Sequence, residues 1–291
     1  MELPLHGFVA EATPSLPWID GLSVHTTRNL PLFKAAVIAG FLVSFSPLAL
    51  VPAAAAEDKL VKVDTRPGIS VSFWYMQRPG ATVTVVLLPG GAGNIGMKDG
   101  VPTSSNFLVR SRDLFAANGF DVAVVGKPTD KDELDYQFRV SAQHVEDLRK
   151  IVAYLKQDTG HPVWLVGTSR GTISDAAAIA FGNNELAGIV LTSSVTNYKK
   201  TGAVPTQRLG EIRIPVLVMH HEKDACVICR PYEVSSIMEG LKNAPVKKQL
   251  MVNGGADPRG DPCEAFHWHG YIGMEKEAVT LISDWIKKPT P

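Results

Sequence analysis

Beyond residue 56 the chain alternates short, continuous apolar runs with stretches in which apolar residues recur at helical spacing. Continuous runs rich in β-branched and aliphatic residues predict strands that are buried on both faces, and helical spacing predicts amphipathic helices. The runs are KLVKV, ISVSFWYMQ, TVTVVLL, FDVAVV, VWLVG, GIVLTSS, IPVLVMHH and KKQLMV. This alternation predicts an α/β fold, with a mostly parallel sheet and helices on both of its faces.

Helices are predicted between these runs. Apolar residues from Val140 to Leu155 recur at helical spacing, and Gly160 then ends the helix. Further helices are expected between Phe107 and Asn118, from about Gly171 to Phe181, over residues 231 to 242, and in the closing segment IGMEKEAVTLISDWIKK. Because no linker divides residues 57–291, we predict a single domain there.

The first 56 residues have the organisation of an N-terminal extension followed by a signal peptide. Basic residues Arg28 and Lys34 lead into an apolar region at about residues 35–50, and small residues follow up to Ala56. This order predicts a secretory signal peptide that is cleaved after Ala56. The alternative is a membrane anchor, but the apolar run contains Pro47 and is shorter than the ~20 residues that a spanning helix needs. We therefore expect a periplasmic or secreted protein without stable membrane anchoring after cleavage.

The charge balance limits the kinds of partner. The chain has 29 Lys and Arg residues against 29 Asp and Glu residues, which gives no formal net charge. Binding to nucleic acid or to an anionic membrane requires a positive excess, so we expect neither as a partner.

The segment Gly167-Thr168-Ser169-Arg170-Gly171 follows one apolar run and precedes a predicted helix. It matches the G-x-S-x-G turn in which a nucleophilic serine lies between a strand and a helix. Side chains at the two glycine positions would collide with the neighbouring strand and helix. A plain structural turn is the alternative, and Ser169 is the candidate nucleophile.

A serine hydroxyl needs a base and an orienting carboxylate, and chains with this turn carry the acid and then the histidine after the serine. Glu222 and Asp224 follow the run IPVLVMHH, and Asp224 is favoured because it lies further into the loop. His267 and His269 follow the last strand. His269 is favoured because Gly270 frees the backbone beside it, while the reverse assignment to His267 stays open.

The oxyanion of an acyl-transfer intermediate needs backbone donors. The expected donors are the N–H of Arg170 and one from the loop LPGGAGNIG, at Gly91 or Ala92. The competing interpretation of this loop is a phosphate cradle. The glycine spacing fits a dinucleotide-binding loop poorly, and no G-K-[ST] follows, so nucleotide binding is disfavoured.

A zinc site is the main rival to a catalytic triad. Its donors would come from CVIC at residues 226–229, HH at 220–221 and HWH at 267–269. In an exported protein the cysteines tend instead to form disulfides, and an odd number leaves one thiol free. A bridge between Cys226 and Cys263 would join the loop that contains Asp224 (the acid loop) to the loop that contains His269 (the histidine loop), so we favour the bridge. These residues alone leave open whether Cys226 or Cys229 pairs with Cys263.

The segments LLPGGAG, LVGTSRGT, IPVLVMHHEKDAC and PCEAFHWHGY resemble those of small secreted bacterial hydrolases of the α/β-hydrolase superfamily. The resemblance implies an α/β-hydrolase fold, with Ser169 as nucleophile, Asp224 as acid, His269 as base and a Cys226–Cys263 disulfide. Larger members insert a cap where this chain has only about twenty residues, so no large cap domain is expected. Cys229 departs from the pattern.

These residues together predict a secreted serine hydrolase, a carboxylesterase that acts on small soluble esters through an acyl-enzyme. No cofactor and no metal is expected, and the partner is a small-molecule ester. The alternatives are an amidase, peptidase or acyltransferase on the same triad, or a non-catalytic binding protein with this fold. The oligomeric state is not predicted.

Overall fold

The computed structural model describes residues 57–178 and 185–291. The predicted extension and signal peptide, residues 1–56, lie outside the described residues. So does the end of the helix that was expected to reach Phe181.

Ten strands are described, and they carry the apolar runs of the sequence. They are β1 (Lys59–Arg66), β2 (Ile69–Met76), β3 (Thr84–Leu88), β4 (Met97–Lys98), β5 (Val101–Pro102), β6 (Asp121–Pro128), β7 (Val163–Thr168), β8 (Gly188–Thr192), β9 (Val216–His221) and β10 (Lys247–Val252). β4 and β5 form a small hairpin, and the other eight form one sheet in the order β1-β2-β6-β3-β7-β8-β9-β10. β1, β2 and β6 pair antiparallel, whereas every pair from β6 to β10 is parallel. The mostly parallel sheet is therefore confirmed.

Seven α-helices are described between or after the strands. They are α1 (Phe107–Arg110), α2 (Arg112–Ala117), α3 (Tyr136–Arg139), α4 (Ala142–Thr159), α5 (Gly171–Ala177), α6 (Val234–Gly240) and α7 (Glu275–Lys287). Helices α4, α5 and α6 pack in the core layer on one face of the sheet, and α1, α2 and α7 pack in the layer on the other. Both faces are covered, as the alternation in the sequence predicted.

Strand β7 illustrates why the central strands are continuously apolar. Successive side chains of a strand point to opposite faces of the sheet. Leu165 lies in the core layer with Leu148 of α4, whereas Trp164 contacts Trp285 of α7 edge to face, with ring centroids 5.7 Å apart. Both faces of the strand are buried, so no polar position interrupts the run.

The ends of α4 follow from local sequence. Ser141 precedes the helix, and its hydroxyl accepts the N–H of His144 at 3.2 Å. Gly160 ends the helix in the left-handed region at φ 72°, which favours glycine. The helix predicted from Phe107 onward is instead divided at Ser111 into α1 and α2.

The carboxyl ends of β3, β7, β9 and β10 lead into the loops that hold the predicted site residues. The segment between β8 and β9 forms only two short 3₁₀ turns, Val204–Thr206 and Leu209–Glu211, so it supplies no helical cap. Over residues 57–178 and 185–291, no helix is long and apolar enough to cross a membrane.

Candidate active site

Ser169 lies in a sharp turn between β7 and α5. Its backbone is in the left-handed region at φ 52°, which a non-glycine residue rarely adopts. The turn is held because the Ser169 N–H donates to Thr192 O at 3.0 Å. The Ser169 carbonyl accepts the N–H and the hydroxyl of Thr172 at 3.0 and 2.7 Å. The serine is therefore fixed in an unusual conformation at the end of a central strand.

The glycines around Ser169 are required by close packing. A Cβ atom at Gly167 would overlap Asp175 Oδ2 and lie 2.7 Å from the carbonyl carbon of Gly171. A Cβ atom at Gly171 would overlap Leu88 O, and one at Gly90 would lie 2.8 Å from Ser169 Cβ. Strand β3, strand β7 and helix α5 thus approach one another too closely for any side chain at these positions.

Asp224 and His269 form a buried pair in which the ring of His269 is oriented. His269 Nδ1 donates to Asp224 Oδ2 at 2.8 Å, and 6% of the His269 side chain and 0% of the Asp224 side chain are exposed. Asp224 Oδ1 accepts the N–H of Cys226 at 2.9 Å. Because Nδ1 carries the proton towards the carboxylate, Nε2 of the neutral ring carries the lone pair. No group among the described residues hydrogen-bonds to that Nε2.

Among the described residues, Glu222 and His267, the alternative acid and base, do not form a hydrogen-bonded pair like that of Asp224 and His269. The Glu222 side chain is exposed and accepts a hydrogen bond from Asn253 Nδ2 at 3.3 Å. The His267 ring lies against Trp268, with centroids 6.3 Å apart. The geometry therefore pairs Asp224 with His269.

Ser169 and His269 line the same cavity, which has a volume of about 260 Å³. Gly91, Ala92 and Arg170, the residues expected to supply oxyanion donors, line it too. Polar side chains make up much of the remaining wall, and they belong to Asn94, Ser104, Ser105, Asn106, Tyr136 and Glu264. The structure thus brings together residues from the ends of β3 and β7 and from the loop before α7.

Arg139 fixes the loop that carries Gly91 through hydrogen bonds to its backbone carbonyl groups. Its guanidinium donates through Nη2 to Pro89 O at 3.0 Å and Gly91 O at 3.3 Å, and through Nη1 to Ser174 Oγ at 3.0 Å. Burial, with the nearby positive charge of Arg170, lowers the pKa of Arg139 to about 9. Reasoning from the sequence missed Arg139, because an arginine on a predicted helix gives no sign of a partner in a distant loop.

The histidine loop is also anchored through its backbone. Ser193 Oγ donates to His269 O at 2.8 Å, and Arg110 Nη2 donates to Gly270 O at 2.6 Å. A Cβ atom at Gly270 would overlap Ala265 O, so the glycine is needed for the tight turn. Ser193 and Arg110 were not identified from the sequence, since their role depends on contacts with a loop far along the chain.

A disulfide joins the acid loop to the histidine loop. It links Cys226 to Cys263, and Cys229 remains a free, buried thiol. Cys229 Sγ lies 3.9 Å from Ser169 Oγ. Burial raises the pKa of the Cys229 thiol well above its usual range, and the negative charge of Asp224 acts in the same direction. The thiol is therefore held in its neutral form beside the serine.

The donor set for the rival zinc site is incomplete while the bridge is intact. Cys226 Sγ, Cys229 Sγ and one ring nitrogen of His269 lie within 4.8 Å of one another. The Cys226 sulfur is bonded to Cys263 and cannot act as a thiolate ligand. His220 and His221 take part in backbone hydrogen bonds instead: His220 Nε2 accepts from Ser194 N at 2.6 Å, and His221 Nε2 donates to Gly254 O at 2.9 Å. Among residues 57–178 and 185–291, this donor set does not fit a structural zinc ion.

Solved structures of other proteins are similar to this chain in fold, although their sequence identity to it is low. An esterase of Pyrococcus furiosus matches with a TM-score of 0.59 at 15% identity, covering 80% of this chain and 91% of that one. An α/β serine hydrolase homologue of Coxiella burnetii matches with a TM-score of 0.54 at 13% identity, covering 78% and 96%. An α/β serine hydrolase without a lid from Xanthomonas campestris matches with 0.53 at 16% identity, covering 81% and 97%.

No protein-family model and no curated protein sequence matches the chain. At these identities the structural matches establish the fold and leave the activity to be argued from the site. The sheet order, the covering helices and these matches agree, and the chain adopts the α/β-hydrolase fold.

Proposed function

We propose that the protein is a serine hydrolase, a carboxylesterase that cleaves small soluble esters through an acyl-enzyme on Ser169. The observation that carries this proposal is the buried His269–Asp224 hydrogen bond of 2.8 Å, formed by a histidine that lines the same cavity as Ser169. Nε2 of this histidine has no hydrogen-bond partner among the described residues. A serine in a strained turn, a histidine and a buried carboxylate are the components of a nucleophilic triad.

The first half of the reaction forms the acyl-enzyme. Ser169 Oγ attacks the ester carbonyl carbon while its proton passes to His269 Nε2. Asp224 stabilises the imidazolium that results, through the bond to Nδ1. The tetrahedral intermediate then collapses, the C–O bond to the alcohol breaks, and the alcohol leaves with the proton from Nε2.

The second half regenerates the enzyme. A water molecule gives a proton to His269 Nε2 and attacks the acyl carbon, and the bond to Ser169 Oγ breaks as the proton returns to that oxygen. In both halves the negative charge on the carbonyl oxygen would be stabilised by the backbone N–H of Arg170 and that of Gly91 or Ala92. Arg139 supports this site indirectly, because it fixes the carbonyl groups of the loop that contains Gly91.

Small soluble esters are the substrate class that the open cavity favours. The segment between β8 and β9 contains only short 3₁₀ turns, so it does not cover the entrance as a helical lid would. Similar structures include an esterase and a serine hydrolase without a lid, which supports the same choice. The Cys226–Cys263 disulfide also supports the proposal that the mature chain works outside the cytoplasm, in the periplasm or the medium.

The test is covalent labelling with a fluorophosphonate, followed by intact-mass measurement and peptide mapping. We expect one adduct on Ser169, and we expect Ser169→Ala to abolish both labelling and hydrolysis of p-nitrophenyl acetate. Ser105→Ala is the matched control, because Ser105 also lines the cavity but lies outside the triad. A folded protein that takes no label, or takes it at another residue, would overturn the proposal.

Product analysis then separates ester hydrolysis from the other reactions of the same triad. With a competing alcohol present, a hydrolase releases mainly the free acid, whereas an acyltransferase forms the new ester. An anilide with the same acyl group measures amide cleavage. We expect free acid from the ester and little turnover of the anilide.

A further inference from the structure

We propose that the cavity selects esters that carry a carboxylate, which Arg170 and Lys200 bind on the wall formed with Tyr136. This inference rests on the proposed ester hydrolysis at Ser169 and names the substrate class of that site. It is carried by two positive side chains at the ring of Tyr136, of which Arg170 also lines the cavity and directly follows the predicted nucleophile in the chain.

Arg170 and Lys200 lie against the same aromatic ring. The guanidinium carbon of Arg170 is 5.1 Å from the centroid of Tyr136, and Lys200 Nζ is 5.5 Å from it. Arg170 and Tyr136 both line the cavity, and Arg170 follows Ser169 directly in the chain. Because the negatively charged faces of the ring attract cations, both side chains are held beside Tyr136, which itself lines the cavity.

Neither charge is neutralised by an acidic partner in residues 57–178 and 185–291. Other arginines of the protein do form ion pairs: Arg66 binds Asp147 at 2.8 Å, and Arg110 binds Glu275 at 2.9 Å. The contrast is informative because an arginine beside a cavity with no carboxylate partner remains available to a ligand. Guanidinium groups bind carboxylates with two parallel hydrogen bonds, which gives affinity and orientation together.

The acidic groups nearby leave this wall positive. Asp135 is exposed, and its Oδ1 accepts the N–H of Phe138 at the start of α3 at 2.7 Å. Burial raises the pKa of Asp175 well above its usual range, so that carboxyl is held neutral. Glu264 lines the same cavity from the segment before His269, and among the described residues it forms no ion pair within 4.0 Å with Arg170 or Lys200. Arg139 adds a further positive charge close to Arg170.

The test compares pairs of esters in which a carboxylate is replaced by a neutral carboxamide of similar size. 4-Acetoxybenzoate and 4-acetoxybenzamide carry the group on the alcohol side. Monomethyl adipate and methyl 5-carbamoylpentanoate carry it on the acyl side. The measured quantity is the ratio of kcat/KM for the carboxylate to that for the carboxamide. We expect a ratio of about ten or more for at least one pair, the factor that one charge-assisted hydrogen bond of about 1.4 kcal/mol supplies.

The variant Arg170→Gln/Lys200→Gln should reduce that ratio to about one, whatever happens to the overall rate. Lys199→Gln is the matched control, because it removes an exposed neighbouring charge and should keep the ratio of the unmodified protein. The pair that shows the preference identifies which side of the ester the carboxylate occupies.

Two results would overturn the inference, and each differs from a failure of the proposed function. If Ser169 is labelled and the carboxamide esters react as fast as the carboxylates, the substrate class is wrong while the hydrolase stands. If the preference exists but survives in Arg170→Gln/Lys200→Gln, the carboxylate is bound elsewhere. A protein that neither reacts with the fluorophosphonate nor cleaves any of the four esters would contradict the proposed function itself.

Discussion

The hydroxyl of Ser193 donates a hydrogen bond of 2.8 Å to the backbone carbonyl of His269. Ser193 immediately follows β8 and is held in the left-handed region at φ 44°, with its N–H bonded to Met219 O at 3.0 Å. The residue thus connects the end of a central strand to the loop that carries the histidine. The position of the imidazole depends on this backbone contact as well as on Asp224.

Ser193→Ala should therefore lower kcat by about tenfold and leave KM nearly unchanged, because one buried hydrogen bond of about 1–1.5 kcal/mol positions the base. Steady-state kinetics on p-nitrophenyl acetate and the rate of fluorophosphonate labelling would both report the loss. Ser283→Ala is the matched control: Ser283 is equally buried, and its hydroxyl has no partner among the described residues. An equal loss of kcat in the control would assign the effect to general packing instead.

Gly167→Ala should destabilise the protein by about 2 kcal/mol or more, since the added methyl group would overlap Asp175 Oδ2 in a region with no free space. Gly210→Ala is the comparison, because a Cβ atom there meets only Gly240 O, at 3.8 Å. Urea unfolding of both variants measures the difference. Equal stability of the two variants would show that α5 can move away from β7.

Local sequence was sufficient to predict the parallel sheet and the tight turn at Ser169. The central strands are buried on both faces, so their residues form continuous apolar runs that need no tertiary information. The glycines at 167 and 171 are dictated by the close approach of helix and strand. Both features can be recognised from a few consecutive residues.

The side chains that fix the loops of the site cannot be recognised from the local sequence. Arg139 reaches Pro89, 50 residues away, and Ser193 reaches His269, 76 residues away. An arginine or a serine is compatible with many environments, and only the packed fold determines its partner. The division of one predicted helix at Ser111 has the same origin, because the apolar pattern continues through the break.

Protonation of His144 should destabilise the fold in acid. Burial, together with the positive charges of Arg139 and Arg66, lowers the pKa of His144 to about 3. The unfolded chain binds this proton below about pH 6.5 and the folded chain does not, so stability is lost as the pH falls from about 6.5 to 3. At pH 5 the loss from this residue is about 2 kcal/mol.

His144→Gln should remove this contribution while keeping a polar group beside Ser174 Oγ, which lies 2.9 Å from His144 Nε2. Thermal unfolding at pH 8 gives the cost of the substitution itself. Between pH 8 and pH 5, Tm should fall by roughly 4–8 °C less in the variant than in the unmodified protein. Parallel Tm curves would show that His144 is protonated in the folded chain at pH 5.

The Cys226–Cys263 disulfide should stabilise the protein and maintain the geometry between the acid loop and the histidine loop. It closes a loop across a sequence separation of 37 residues, for which a stabilisation of about 2–4 kcal/mol is typical. We expect Cys226→Ser/Cys263→Ser to lower Tm by roughly 10 °C. Its kcat should also fall at temperatures where it is fully folded, because the disulfide then no longer holds the segment of Asp224 against the segment of His269. Both cysteines are replaced so that Cys226 cannot form a new bridge with Cys229, whose sulfur lies within 4.8 Å.

Cys229→Ser is the control for this effect, since it removes a thiol that is not part of the bridge. A phosphine reductant should lower Tm in the unmodified protein and in Cys229→Ser, and it should leave Cys226→Ser/Cys263→Ser unchanged. If the double variant loses stability but keeps its full kcat below Tm, the bridge acts on the unfolded chain alone, and the orientation of His269 is set by Asp224 and Ser193 without it.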